Sequence, residues 1–176
     1  MSDTRQQKNS ENFWNIIFTL LYIGTFVVGM MLLMKVNGEL PKSIPLFDLI
    51  LIALAAFRLT RLFVYDHITQ FFRDLFLDTE EYVDERGAVV VRRLPPIKGP
   101  RRTINTLLGC PWCFGMWAGL LVPLFYFLTP YAWFVILALA VSGLGTALML
   151  VFNWIGWSAE YRKKKAQAKF GEQHIT

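Results

Sequence analysis

The chain has 176 residues, enough for one ordinary domain. Its residues are 55% hydrophobic and only 18% charged, and its mean hydropathy is +0.40; soluble domains run nearer ~45–50% apolar and ~25% charged. That balance excludes an ordinary soluble domain and points to an integral membrane protein. The net charge of +5 does not argue for nucleic acid, because basic residues flanking apolar runs are expected of any membrane protein with cytoplasmic loops.

Residues 1–12, MSDTRQQKNSEN, read as a polar arm. Residues 13–34 carry no formal charge, and a span needs ~20 apolar residues to cross a ~30 Å hydrocarbon layer. The run ends in the bulky stretch MMLLMK rather than in a small-residue cleavage site, so it reads as a retained helix and not a secretory signal. Residues 46–65, LFDLILIALAAFRLTRLFVY, read as the second span despite Asp48, Arg58 and Arg61, with a re-entrant or surface-lying helix as the rival. Arg58 lies close enough to the end of this run to snorkel to the near interface.

Asp66 is a natural N-cap. Ile68, Phe71, Phe72, Leu75 and Phe76 after it fall on one helical stripe, which predicts a short amphipathic helix lying in the interface plane. Next, EYVDERGAVVVRR reads as strand, turn and strand, with glycine in the turn and β-branched residues after it. Such a hairpin is marginal alone and has to pack on something. RRLPPIKGPRR follows, stiff with proline and strongly basic. From 103 to 159 there are 57 residues without a formal charge, long enough for two spans, 112–128 and 131–154, broken at Thr129-Pro130-Tyr131 because proline cannot continue a helix interior. Gly115 and Gly119 on one, and Ser142, Gly143 and Ala147 on the other, are small faces for close backbone approach. Residues 158–176 read as a frayed basic tail.

Basic residues set the orientation. With four spans, the arm, the segment between spans two and three, and the tail share one side and carry fourteen Lys and Arg, against two in the first loop. The positive-inside rule then places both termini in the cytoplasm, in the inner (plasma) membrane. Trp14, Trp112 and Trp157 mark one interface, and Tyr131 and Trp133 the other. Arg92, Arg93, Arg101, Arg102, Lys163, Lys164 and Lys165 are the candidates for holding anionic headgroups, each worth ~1 kcal/mol near the surface.

Both cysteines lie in LLGCPWCFGMW, at the cytoplasmic mouth of span three. Pro111 suits the first position of a helix, so Cys110 sits at its cap, where a thiol becomes more acidic and more nucleophilic. Three readings compete. A redox pair lacks the usual βαβ context. A zinc clip needs four ligands, and Cys110 and Cys113 supply two, with His67 or a second copy as the remaining source. Packing, with C-P-W-C shaping the entry of the helix around Trp112, leads the three. Arg58 and Arg61 are neighbours on one helical face. Asp48 is too far along the axis to reach Arg58, and Asp66 lies on a different face from Arg61 unless the chain bends. The expected partner is therefore another segment, such as Asp74, or lipid phosphate. Snorkelling is favoured over a switch or conduit.

FRLTRLFVYDHITQFFR followed by LLGCPWCFGMW resembles a family of uncharacterised bacterial and phage membrane proteins, domain of unknown function 1360, which includes sporulation-associated members. The residues that carry the resemblance are Arg58, Thr60, Arg61, Asp66, Ile68, Arg73, Cys110, Pro111, Trp112, Cys113, Gly115 and Trp117. It implies a membrane protein and draws attention to Arg58, Arg61, Asp66, Arg73 and the two cysteines, but brings no reaction with it.

The expectation is thus an all-α integral membrane protein: four transmembrane helices within 13–157, a cytoplasmic insert at 66–103 holding the interfacial helix and a small β-hairpin, and a basic tail. No Walker loop, G-x-S-x-G, H-E-x-x-H or EF-hand pattern occurs. The leading function is a non-enzymatic membrane interaction or assembly protein of phage or spore-forming bacterial origin. It would meet anionic lipid and other copies of itself or other membrane proteins, without nucleic acid and without a cofactor unless zinc sits at the thiols. A holin-like pore, channel or transporter subunit, and a thiol-redox or metal-binding membrane protein, are the alternatives.

Overall fold

The computed structural model describes residues 2–39, 41, 43–83, 89–97 and 99–173, with side chains from Asn9 to Lys165 within those ranges. It is mostly helical, with one small antiparallel hairpin. The order is α1 (Ser2–Asn37), α2 (Leu46–Val64), a 3₁₀ turn (His67–Thr69), α3 (Gln70–Asp74), β1 (Asp78–Val83), β2 (Val89–Leu94), α4 (Pro100–Gly109), α5 (Pro111–Leu128) and α6 (Ala132–Gln173).

Three segments are long and apolar enough to cross a membrane: Asn9–Asn37 in α1, Pro111–Leu128 in α5 and Ala132–Lys165 in α6. By length and composition three helices qualify rather than the four expected, and the physical reason is charge. The second expected span is a 19-residue helix, α2, but it carries Asp48, Arg58 and Arg61. Length and composition alone do not make it a span.

α2 is nevertheless the centre of the molecule. Leu51, Ile52 and Ala55 form the core with Val122 of α5 and with Ile136 and Ala140 of α6. Ala55 is wholly buried. Two glycines set how closely the helices approach. A methyl group on Gly143 of α6 would lie 2.5 Å from the Leu54 carbonyl oxygen and 3.2 Å from the Arg58 Cβ, so α6 touches the α2 backbone directly. Gly115 of α5 faces Thr60 more loosely, at 3.8 Å from its Oγ1. Gly143 and Gly115 therefore spend their small faces inside the chain, against α2.

Pairwise contacts fix the helix directions. Tyr22 packs edge-on against Trp117, with ring centroids 5.2 Å apart, and the Asn37 Nδ2 donates to the Phe127 carbonyl at 3.2 Å, so α1 runs parallel to α5. Phe63 stacks on Phe114 at 5.2 Å while the Tyr126 phenol meets the Asp48 carboxylate, so α2 runs antiparallel to α5. The break at Thr129-Pro130-Tyr131 returns the chain into α6, where the Ala132 amide donates to the Thr129 carbonyl at 3.2 Å. The four long helices alternate in direction along the chain. The two expected termini of the membrane region are also longer than the apolar pattern shows: α1 already starts at Ser2, and α6 continues through the basic residues to Gln173.

The expected interfacial helix is shorter than its stripe suggests. One 3₁₀ turn and the five residues of α3 share it. The stripe also divides. Phe72, 37% exposed, packs against Phe63, at 5.9 Å, and Phe76, at 5.7 Å, whereas Ile68, Phe71 and Leu75 are more fully exposed. β1 and β2 pair antiparallel from Asp78↔Leu94 to Val83↔Val89; the connecting turn lies outside the described residues. α4 was not anticipated as a separate element. It occupies the seam between the expected insert and the third span, with Pro100 in its first turn and with Thr103 and Leu108 buried.

Candidate functional site

Four of the residues that carry the sequence resemblance, Arg58, Arg61, Asp66 and Arg73, come together where α2 ends. A helix leaves its last carbonyls without intrahelical partners, and α2 supplies those partners from the segment that follows. Tyr65 and Asp66 turn the chain, both amides donating to the Arg61 carbonyl, at 2.9 and 3.2 Å. The Thr69 hydroxyl then reaches back to the Leu62 carbonyl, and also donates to the Asp66 carbonyl at 3.2 Å. The Arg73 guanidinium spans the remainder. Its Nη1 donates to the Phe63 carbonyl at 3.0 Å and to the Val64 carbonyl, and its Nη2 donates to the Asp66 carbonyl at 3.0 Å. A planar fork with several fixed donors suits this task in a way a lysine ammonium does not.

The bend that the sequence treated as a condition is the observed conformation, and it corrects the expected partner of the arginines. The Arg58 Nη1 meets the Asp66 Oδ2 at 2.9 Å, with both side chains mostly covered. Asp74 instead pairs with Arg93, at 3.0 Å. Arg61 does not share the carboxylate. Its guanidinium carbon lies 5.0 Å from the centre of the Tyr65 ring, a cation–π contact one helical turn on, and its buried Nε has no hydrogen-bond partner among the described residues.

Three arginines of the basic segment pair within the chain. The Arg101 Nη1 pairs with the Asp78 Oδ1 at 3.2 Å, and its Nη2 donates to the Leu75 and Leu77 carbonyls at 3.0 and 3.3 Å. The Arg102 Nε pairs with Glu11 of α1 at 2.7 Å. Arg92 lies opposite Glu80 in the hairpin register. Three ion pairs, Arg93–Asp74, Arg101–Asp78 and Arg102–Glu11, thus tie the hairpin and α4 to the base of the helices. By contrast Lys163, Lys164 and Lys165 are exposed, with Lys164 making one surface pair to Glu160 at 3.2 Å.

The cysteines are free thiols. Cys110 is the N-cap of α5 and its sulfur accepts from the Cys113 amide at 3.4 Å. Hydrogen bonds from the Cys113 thiol, and then from the Cys113 backbone N–H, hold the Cys110 thiol below its ordinary range. Trp112 between them is 85% exposed. Cys113 opens on a cleft of ≈ 360 Å³ between α1, α4 and α5, shared with Asn15, Thr19, Thr106 and Trp117. His67, offered as a third metal ligand, instead places its Nδ1 2.9 Å from the Gln70 Oε1. Among the described residues no three of His, Cys, Asp or Glu gather closely enough to hold a metal ion.

Sequence reasoning missed the role of Thr69, Glu11 and Asp78. Thr69 and Arg73 sit three and seven residues after Asp66, a spacing that signals back-bonding to a helix end once that end is placed at residue 64. No local signal reveals the Glu11–Arg102 pair, which joins segments ninety-one positions apart.

Fold and site together define a small helical protein with three membrane-length apolar helices, braced at one end by an arginine-capped turn and a hairpin. The chain belongs to the family described as Protein of unknown function (DUF1360), whose model matches residues 51–152. It is 38% identical over 109 residues to the sporulation protein YjcA of Bacillus subtilis (strain 168), covering 61% of this chain and 92% of that protein. It is 37% identical over 95 residues to the UPF0713 protein YngL of the same organism, covering 53% of this chain and 69% of that protein. No solved structure matches.

Proposed function

We propose that this chain is a non-enzymatic assembly protein of the inner membrane in a spore-forming bacterium, with four crossings and both termini in the cytoplasm. The observation that carries the reading is a division of labour. Of the charged residues of the family motif, Arg58, Asp66 and Arg73 are spent on the chain's own carbonyls and carboxylates, from Arg58–Asp66 to the Arg73 fork, and Arg61 lies over the Tyr65 ring. The outer faces of α1 and α6 expose Leu20, Phe26, Met31, Phe134, Val141 and Phe152. An architectural motif and large uncovered apolar faces suit a protein that is held in lipid and meets other helices there.

The fourth crossing is α2. Nineteen residues rise about 28 Å, close to the hydrocarbon thickness. The middle of α2 packs on Val122 of α5 and on Ile136 and Ala140 in the first turns of α6, so it lies beside their apolar stretches when they are inserted. Its charges are compatible with that depth: Asp48 lies in the first turn and Arg61 in the last, where each also suits the helix dipole. The alternating helix directions then put the start of α1, the end of α2, the start of α5 and the end of α6 on one side. The positive-inside count makes that side cytoplasmic. Ile68, Phe71, Leu75 and Trp112 would dip into the interface there, and Arg92 with the tail lysines would meet anionic headgroups. A pore reading gains little, since Asp48 and Arg58 face Tyr126 and Asp66 rather than a shared path.

The name of one relative, the sporulation protein YjcA, suggests when to look. A photo-crosslinking residue at Leu20 or Phe134, in the full chain expressed in a sporulating host, should yield discrete adducts with a second copy or another membrane protein. Adducts with lipid alone at both positions, throughout growth and sporulation, would overturn the assembly reading.

A further inference from the structure

We propose that Cys110 and Cys113 form a reversible intramolecular disulfide by exchange with the disulfide of a low-molecular-weight thiol. This goes beyond an assembly role, because it gives the cytoplasmic mouth of α5 a redox-dependent covalent state.

The geometry supports it at three points. Cys110 and Cys113 are three residues apart across a helix start, so their side chains are neighbours, and the Cys110 sulfur already accepts from the Cys113 amide at 3.4 Å. Neither thiol is sealed in a core: Cys113 is exposed and Cys110 half-buried. Cys113 also borders the ≈ 360 Å³ cleft between α1, α4 and α5, within the size range that admits a small ligand, about 300–1,000 Å³.

The chemistry has a direction. Cys110, at the cap and favoured as the thiolate by its bonds from Cys113, attacks one sulfur of the incoming disulfide. That S–S bond breaks, and one small thiol leaves with a proton from solvent. Cys113 then loses its proton to solvent and attacks the Cys110 sulfur of the mixed disulfide, releasing the second small thiol. Two protein thiols are oxidised to one disulfide and the small disulfide is reduced to two thiols. In a reducing compartment such a bond is transient by default and persists only as a signal of oxidising conditions.

The test uses the full chain in lipid nanodiscs equilibrated with mixtures of reduced and oxidised glutathione, acid-quenched, alkylated and read by intact and peptide mass. The expected result is one two-electron transition to a species two hydrogens lighter, with the bond mapped between Cys110 and Cys113. Cys113→Ser should instead stop at one glutathione on residue 110, and Cys110→Ser should take up glutathione at residue 113 more slowly. Four outcomes would each overturn the proposal: thiols that stay reduced across the range, two separate mixed disulfides on the parent chain, equal uptake rates in the two variants, or protection of both thiols by one zinc ion per chain as purified. The parent-chain measurement stands even where a variant fails to fold.

Discussion

α6 and α1 both lean on the α2–α5 pair, and they do so in different ways. α6 meets α2 backbone to backbone, with Gly143 against the Leu54 carbonyl and no room for a methyl group. α1 meets α5 through side chains. A methyl on Gly29 would touch only the Leu124 branch tips, the nearer at 2.9 Å, and an open groove of ≈ 680 Å³ lined by Gly24, Val28, Gly29 and Leu124 runs beside it. The family model begins at residue 51 and ends at 152, so it covers α2 to the middle of α6 and leaves α1 out. The lesson is that rigidity here comes from carbonyl-to-glycine approach within the shared unit, while α1 is attached by contacts that can readjust.

The largest effect should follow from breaking the tight contact. Gly143→Leu forces α6 away from α2 and should destabilise the chain by about 3 kcal/mol, the upper range for overpacking, read as a fall in thermal unfolding temperature in detergent micelles. Arg73→Ala removes the fork from the Phe63, Val64 and Asp66 carbonyls and should cost about 2 kcal/mol, with Arg73→Lys recovering only part of it. Asp66→Ala deletes the carboxylate facing Arg58 but keeps the Arg73 bonds to backbone, so a smaller loss of about 1 kcal/mol is expected. Gly29→Ala should change stability by no more than ~0.5 kcal/mol in either direction, because a Leu124 rotamer change relieves the contact. Equal losses for Gly143→Leu and Gly29→Ala would erase the contrast between the two helices.

Much of this was legible in the sequence. The apolar runs at 13–34, 112–128 and 131–154 mark α1, α5 and α6, because charge-free stretches of that length have few other uses. The hairpin followed from the glycine of the turn and the β-branched residues after it. What the sequence hid was contact between distant segments. Gly143 was visible as a small residue, but its partner is a carbonyl on α2 that no periodicity names. Arg58 and Asp66 are eight positions apart and meet only because the chain turns at Tyr65. Charge patterning in the basic segment does not show that Asp74, Asp78 and Glu11 are folded against Arg93, Arg101 and Arg102. α4 was missed because its apolar residues ran on without a charge into α5, and only Gly109 and Pro111 marked the seam.

The central claim is that α2 crosses the membrane beside α5 and α6, so that its two ends face opposite sides. With both native cysteines replaced by serine, single cysteines at Ser43 and Thr79 can be tested with a membrane-impermeant maleimide on intact cells and on permeabilised ones. The account expects Ser43→Cys to label in intact cells and Thr79→Cys to label only after permeabilisation. Labelling of both positions under the same condition would place the two ends of α2 on one side and contradict it.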